Sequence, residues 1–118
     1  RVNDQFGHQV GDEVLKRFAV LADTCLRDAD VVSRWGGEEF LVLCPDTTAE
    51  QALIALNRLR DQVHVQPFLD SHPSLQITFS AGMATLRPSE SMDSAIERAD
   101  QALYQAKEAG RDRFMQSP

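Results

Sequence analysis

Apolar residues recur at helical spacing in three segments of the chain, and each segment predicts a helix with one buried face. The first segment begins at Gly11. The second follows Thr48, whose separation from Gln51 is typical of a capping box. The third begins at Ser91, and Gly110 lies at the position just beyond its end, where glycine commonly terminates a helix.

Two β-rich runs, residues 31–35 and 39–44, lie on either side of paired glycines and predict a hairpin with a tight turn. Both runs are apolar at adjacent positions, so we expect both faces of the sheet to be covered at least in part. Residues 75–86 predict a long strand, in which Gly82 indicates a bulge or a close approach of another backbone. Residues 113–115 could add an edge strand.

The order of elements is therefore helix, strand, strand, helix, strand, helix and short strand. A hairpin combined with crossover helices predicts an α/β or α+β fold in which helices pack on a sheet. Such folds usually place a central strand before the first helix, whereas residues 1–6 resemble the tail of a short helix that Gly7 stops. We therefore predict one domain over residues 1–118 that is incomplete at its N-terminus.

Composition narrows the class of protein. A chain of 118 residues supports at most one domain with one modest core. A net charge of −6 argues against a nucleic-acid or membrane-surface binder, although local basic groups could still bind a small anion. No apolar run approaches the roughly 20 residues that cross a bilayer. Cys25 and Cys44 lie in apolar contexts, which indicates reduced core residues and a cytoplasmic location, with a membrane-anchored parent still possible.

Residues 34–40, RWGGEEF, place two glycines and two carboxylates between the predicted strands. Gly36 and Gly37 remove side chains from the hairpin tip, so a phosphate or nucleotide could approach the backbone. Glu38 and Glu39 are neighbours, and neighbouring strand residues point to opposite faces, so one could face a site while the other does not. The alternative is an ordinary hairpin with two solvated acids.

Basic residues form a second group. Lys107 and Arg111 are four apart near the end of the last predicted helix, so they are expected to share a face, and Arg113 follows. This group could hold a polyphosphate. It could also be a favourable cation cluster at a helix C-terminus.

Asn3, His8 and Asp12 surround a glycine-containing turn and form a third group. A carboxylate can accept hydrogen bonds from the N1–H and amine of guanine, and an amide can bind the remaining polar edge. Adenine lacks that pair of donors and would leave the carboxylate unpaired. Alternatively, Asp12 is an acid near a helix N-terminus, Asn3 a turn residue and His8 a local cap.

Arg27 and Asp30, in the sequence RDAD, lie just before the predicted hairpin. A guanidinium can donate two parallel hydrogen bonds to the O6/N7 edge of guanine or to a phosphate. The same spacing suits an ordinary salt bridge at a helix end.

Five motifs in order, NDQFGHQVGDEVL, RDAD, RWGGEEF, ITFSAGMA and ADQALYQAKEAGRDR, resemble the GGDEF family of diguanylate cyclases from Arg1 to about Arg113. GGEEF is an accepted variant of the family signature. The resemblance implies a palm-like or ferredoxin-like sheet flanked by helices, similar to nucleotidyl cyclase catalytic domains, with its first strand missing here. It also implies condensation of two GTP into cyclic di-GMP with release of pyrophosphate.

The resemblance implies roles for the residues of all four groups. Guanine is held by Asn3 and Asp12, with His8 close by. Glu38 is a metal ligand and is often assigned as the catalytic base, and Glu39 supports the metal site.

Gly36 and Gly37 match the positions that let the nucleotide approach, and Lys107 and Arg111 match phosphate contacts. The implied cofactor is Mg²⁺ or Mn²⁺. Because one domain binds one GTP, catalysis is expected to require a two-fold homodimer, and an upstream sensor or dimerisation domain is expected.

Arg27 and Asp30 match the RxxD inhibitory site of the family, where the product binds away from the active centre. A second arginine sometimes completes that site, and either Arg58 or Arg60 could supply it.

One departure concerns the chain start. The family normally opens with a strand that carries another metal carboxylate and a phosphate-binding lysine, just before the position of Asn3. We therefore expect this fragment alone to be inactive and the intact parent to be active. The alternatives are a catalytically silent receptor for cyclic di-GMP or GTP, and a partner-binding domain without nucleotide.

Overall fold

The computed structural model describes residues 7–118, and the chain stretch 1–6, with the predicted short helix, lies outside the described residues. Helices and strands follow one another in the predicted order. The structure confirms a mixed α+β fold of small sheets flanked by helices. The elements are α1 (His8–Cys25), β1 (Val31–Gly36), β2 (Glu39–Leu43), α2 (Ala49–Val63), β3 (Ala81–Met83), α3 (Met92–Glu108) and β4 (Phe114–Gln116).

The chain divides into two compact units. The first holds α1, the β1–β2 hairpin and α2 from Ala52 onward, and it continues to Ile77. The second holds residues 48–51 together with β3, α3 and β4.

In the first unit, β1 and β2 form the predicted antiparallel hairpin, with Val31 opposite Leu43 and Gly36 opposite Glu39. The expectation that both faces of this sheet are covered is wrong for β1. Five of its six residues are exposed, and Val31 and Trp35 expose 52% and 57% of their surface. Val31, Ser33 and Trp35 share one face of the strand and are all exposed, so that face is open to solvent.

Helix α1 begins at His8, three residues before the predicted start at Gly11. Gly7 adopts a φ of 90° as its N-cap and accepts the Gly11 N–H at 3.1 Å, so the first helical turn forms directly after it. The ring of Phe18 lies 5.4 Å from the ring of Phe40, which packs α1 against β2.

The predicted helix ends are confirmed. Thr48 and Gln51 form a reciprocal capping box, because each backbone N–H donates to the other side chain, at 2.9 and 3.1 Å. At the end of α3, the Arg111 N–H donates to the Ala106 carbonyl at 2.9 Å, and the Gly110 N–H donates to Lys107 at 3.3 Å. Gly110 has a φ of 121°, as a helix-terminating glycine of this motif requires.

In the second unit, the strand predicted over residues 75–86 is reduced to β3, which pairs in parallel with β4. The predicted close approach at Gly82 is confirmed, because a Cβ there would lie 2.1 Å from the Ala99 carbonyl oxygen of α3. The backbone bonds that flank this pairing are donated by the Ala81 N–H to the Arg113 carbonyl at 3.1 Å and by the Ser117 N–H to the Met83 carbonyl at 2.7 Å.

Both cysteines are free thiols, with Cys25 buried and Cys44 half-buried. Burial and, secondarily, the Asp30 carboxylate raise the pKa of Cys44, so its thiol stays protonated at neutral pH. Within residues 7–118, no helix has the length and apolarity that membrane crossing needs.

Candidate nucleotide site

The hairpin tip is a two-residue turn made of Gly37 and Glu38. Gly37 has a φ of 50°, a left-handed conformation that favours glycine. A Cβ at Gly36 or Gly37 would meet no described atom within 4 Å, so the backbone faces open space. Glu38 is exposed at the tip, and Glu39 is half-buried at the start of β2. The tip can therefore present a carboxylate beside a backbone that a bulky ligand can approach.

Arg34 braces this turn, a role that the sequence interpretation missed. Its Nε and Nη2 atoms both donate to the Gly37 carbonyl oxygen, at 3.1 and 2.8 Å. That oxygen belongs to the peptide group joining Gly37 to Glu38. Two donors on one acceptor therefore fix the peptide from which Glu38 projects.

If the hairpin tip serves the catalysis that the family resemblance implies, Arg34→Ala in the intact parent protein should lower turnover about tenfold, because a loosened turn no longer fixes the position of Glu38. The free energy of unfolding should change by less than about 1 kcal/mol, since the side chain is exposed. The two measurements are kcat and urea unfolding, with Arg34→Lys retaining part of the activity through one donor. Unchanged kcat in Arg34→Ala would contradict the bracing role.

The predicted guanine-binding residues are located only in part. Asn3 lies outside the described residues. His8 is the first residue of α1 and Asp12 follows one turn later, both exposed. Their i,i+4 spacing puts them on one face of the helix.

The basic residues of the second unit depart from the predicted arrangement. Lys107 is half-buried in the last turn of α3, but the helix ends at Glu108. Arg111 lies beyond that end with a φ of 63°, because Gly110 turns the chain. The expectation that Lys107 and Arg111 share a helix face is therefore wrong. Arg113 Nε donates to the Arg111 carbonyl at 3.0 Å.

The structure brings Arg27 and Asp30 together in the turn between α1 and β1. The Arg27 N–H donates to Asp30 Oδ2 at 2.9 Å, and Arg27 Nη2 lies 3.5 Å from Asp30 Oδ1. The Asp30 side chain is 5% exposed and that of Arg27 is 55% exposed. An ion pair at a helix end is thus present, and more than half of the Arg27 side chain is exposed.

Glu90 and Arg98 form a second ion pair that the sequence interpretation did not predict. Arg98 donates to both carboxylate oxygens of Glu90, at 2.8 and 2.6 Å. Glu90 also accepts from the Arg87 N–H and from the Ser94 hydroxyl. These hydrogen bonds, led by the one from Arg98, lower the pKa of Glu90 to about 2. Arg98 further donates to the Thr85 carbonyl, so the pair ties the loop before α3 to the helix.

The ion pair between Glu90 and Arg98 predicts that the stability of the fold falls at acidic pH. The folded pKa of Glu90 lies below its ordinary value of 4.5, so its contribution is present above that value and is lost as pH falls toward 2. We expect Glu90→Gln to lower the melting temperature by several degrees at pH 6 and by much less near pH 2. The control is Glu97→Gln, an exposed position on α3. A difference that does not vary with pH would contradict the assignment.

The residues of the hairpin tip fit a hard divalent cation in donor chemistry. Glu38 and Glu39 supply carboxylate oxygens, and Mg²⁺ is typically held by one or two carboxylates together with waters and substrate phosphates. Within residues 7–118, no three His, Cys, Asp or Glu side chains converge as a metal cage. Two carboxylates are within the protein contribution that is typical of Mg²⁺ sites, in which waters and substrate phosphates supply the other ligands.

Comparisons with known proteins place the chain in a family. The model of the diguanylate cyclase GGDEF domain matches residues 1–113. The chain therefore belongs to the GGDEF family of diguanylate cyclases. Diguanylate cyclase DgcP of Pseudomonas aeruginosa is 49% identical over 114 residues, which are 97% of this chain and 17% of DgcP. The chain thus spans about a sixth of that relative.

Solved structures of GGDEF and GGEEF domains are also similar to this chain. The active GGEEF domain of a diguanylate cyclase from Vibrio cholerae is 35% identical with a TM-score of 0.88, covering 99% of this chain and 74% of that one. The GGDEF domain of DgcB from Caulobacter crescentus, in complex with cyclic di-GMP, is 34% identical with a TM-score of 0.87, covering 98% of this chain and 69% of that one.

Proposed function

We propose that this chain is a single GGDEF domain of a diguanylate cyclase, which condenses two GTP into cyclic di-GMP and releases two pyrophosphates. The observation that carries the proposal is the open glycine turn with Glu38 at its tip, in a chain whose family match spans residues 1–113. The active GGEEF domain from Vibrio cholerae has the same signature letters.

Guanine selection is assigned to Asn3 and Asp12, and His8 lies one turn before Asp12 on α1. The Asp12 carboxylate accepts from N1–H and the exocyclic amine of guanine, and the Asn3 amide binds the remaining polar edge. ATP offers no such pair of donors, so its base would leave the carboxylate unsatisfied.

Glu38 and Glu39 would hold Mg²⁺ or Mn²⁺, which supplies charge neutralisation of the triphosphate when bound. The chain's own residues perform the remaining tasks. Gly36 and Gly37 admit the nucleotide close to the backbone, because no Cβ stands in its way. Glu38 accepts the proton of the 3′-hydroxyl that attacks the α-phosphorus of the second GTP.

Lys107 and Arg111 bind the phosphates of GTP. Both are cations next to the end of α3, and phosphoryl-type transfer depends mainly on positioning and charge stabilisation. Lys107 is half-buried in the last turn of α3, whereas Arg111 is exposed beyond the end of the helix.

Each domain binds one GTP, so two copies must face each other in a two-fold homodimer that joins the two nucleotides. A sensory or dimerising region would bring the domains together. The requirement for GTP and the free cysteines support a cytoplasmic location. Arg27 and Asp30 form the inhibitory site for product, with Arg58 or Arg60 as candidates for a further contact.

The test is incubation of the intact parent protein with GTP and Mg²⁺ or Mn²⁺, with chromatography of the products. Cyclic di-GMP and pyrophosphate should appear in a ratio of one to two, and ATP should give no cyclic product. Binding of cyclic di-GMP without any turnover would instead favour a catalytically silent receptor, the alternative suggested by the bound nucleotide in the DgcB structure.

A further inference from the structure

The guanidinium of Arg27 is held from its Nη2 end by the loop that follows β2. Nη2 donates to the Pro45 carbonyl oxygen at 2.6 Å and to the hydroxyl oxygen of Thr47. The Thr47 hydroxyl itself donates to the Pro45 carbonyl at 2.9 Å. Nη2 thus already donates to two acceptors, and the bond from Thr47 to Pro45 orients the Thr47 oxygen to accept from it.

This arrangement limits how Arg27 can bind a ligand. A planar guanidinium has two edges that donate parallel pairs of N–H bonds, one formed by Nε and Nη2 and the other by Nη1 and Nη2. Both edges require a hydrogen of Nη2. Arg27 therefore cannot offer a bidentate edge to a phosphate or to guanine unless it gives up Pro45 or Thr47.

Access of a ligand to the Asp30 carboxylate is limited as well. Its side chain is 5% exposed, and Oδ2 already accepts the Arg27 N–H. Oδ1 is buried without a hydrogen-bond partner among the described residues, and Arg27 Nη2 is 3.5 Å away. A buried carboxylate oxygen left without a donor is costly, so Oδ1 is a position that a ligand N–H would occupy favourably.

We propose that Thr47 is a positioning residue. Its hydroxyl oxygen keeps the Arg27–Asp30 pair in the arrangement seen here, and it competes with a guanine nucleotide for the hydrogen bonds of Arg27 Nη2. Thr47 thereby sets the affinity of the inhibitory site. This inference rests on the proposed inhibitory role of the pair. It adds a residue outside the RxxD motif, and it gives the direction in which that residue acts: removing the hydroxyl strengthens product binding.

The test is calorimetric titration of the full chain with cyclic di-GMP, in wild type, Thr47→Val, Thr47→Ser and Arg27→Ala. Thr47→Val removes the acceptor at nearly constant shape, and it should bind about fivefold more tightly, the effect of one partly exposed hydrogen bond. Thr47→Ser keeps the hydroxyl and should bind as wild type does. Thr47→Ala provides a second deletion of the hydroxyl if the valine variant fails to fold.

The outcomes separate the two proposals. If Arg27→Ala loses binding while both deletions of the Thr47 hydroxyl bind equally or more weakly than wild type, the competition is overturned and the inhibitory site stands. If Arg27→Ala binds as wild type does, the inhibitory assignment fails, and the role of Thr47 fails with it. A purely structural role of Thr47 would lower the melting temperature without tightening binding.

Discussion

In the intact parent protein, replacing Glu38 by glutamine is expected to lower the proposed turnover of GTP to cyclic di-GMP by about 10²- to 10⁴-fold, the usual range for removing a general base. Glutamine keeps the shape of the side chain and removes both the charge that attracts a divalent cation and the ability to take up a proton. Because Glu38 is exposed in a turn, the free energy of unfolding should change by only about 0.5 kcal/mol. The measurements are kcat with GTP at saturating Mg²⁺ and urea unfolding.

Glu97→Gln is the matched control, because it removes the same charge from an exposed position on α3 and should leave kcat unchanged. Raising the Mg²⁺ concentration in Glu38→Gln separates the two tasks of the carboxylate. Recovery of turnover at high Mg²⁺ would show that Glu38 acts mainly as a metal ligand, whereas a loss that persists fits a base. Turnover of Glu38→Gln close to that of wild type at low Mg²⁺ would refute both roles.

The sequence predicts best what depends on a few neighbouring residues. The capping box of Thr48 and Gln51, the glycine that ends α3 and the hairpin at the paired glycines all follow from local backbone requirements, and all three are present. The close approach at Gly82 also follows, because a glycine inside a strand pattern commonly marks such a contact.

Other features depend on distant partners and could not be read from local pattern. The length of β3 is set by pairing with β4, about thirty residues later, so alternation alone overestimated it. The hairpin motif includes Arg34, but the motif does not indicate its contact with the Gly37 carbonyl, because that contact exists only when the turn has formed. Thr47 reaches Arg27 across 20 positions of sequence, which no spacing rule indicates.

Within the candidate site, residue identity was easier to infer than arrangement. The motifs place Glu38 between the two strands, and Arg27 and Asp30 between the first helix and the hairpin, where the structure has them. The helical spacing of Lys107 and Arg111 was misleading, because the glycine that the sequence correctly identified as a terminator also removes Arg111 from the helix. Two residues cannot share a helix face when the helix ends between them. Because Gly110 ends α3 after Lys107, it takes precedence over the i,i+4 spacing.

Gly82→Ala is expected to destabilise the second unit by about 3 kcal/mol or more, above the usual range for one added methyl group. The added Cβ would lie 2.1 Å from the Ala99 carbonyl oxygen and 2.3 Å from the Leu103 nitrogen, both of them backbone atoms of α3. A flexible side chain could move away from such a contact, but a helix backbone must shift as a body. Because α3 carries Lys107 in its last turn, its displacement from β3 should also weaken the proposed phosphate contact.

Gly36→Ala is the matched control for stability, because its Cβ would meet no described atom within 4 Å. Urea unfolding followed by far-ultraviolet circular dichroism should show a change of about 0.5 kcal/mol or less for Gly36→Ala and a much lower midpoint for Gly82→Ala. The contrast tests packing directly, since both substitutions add one methyl group to a glycine in a strand. If the two variants unfold at the same urea concentration, β3 and α3 are not in the close contact described, and the support that this contact gives to Lys107 is lost with it.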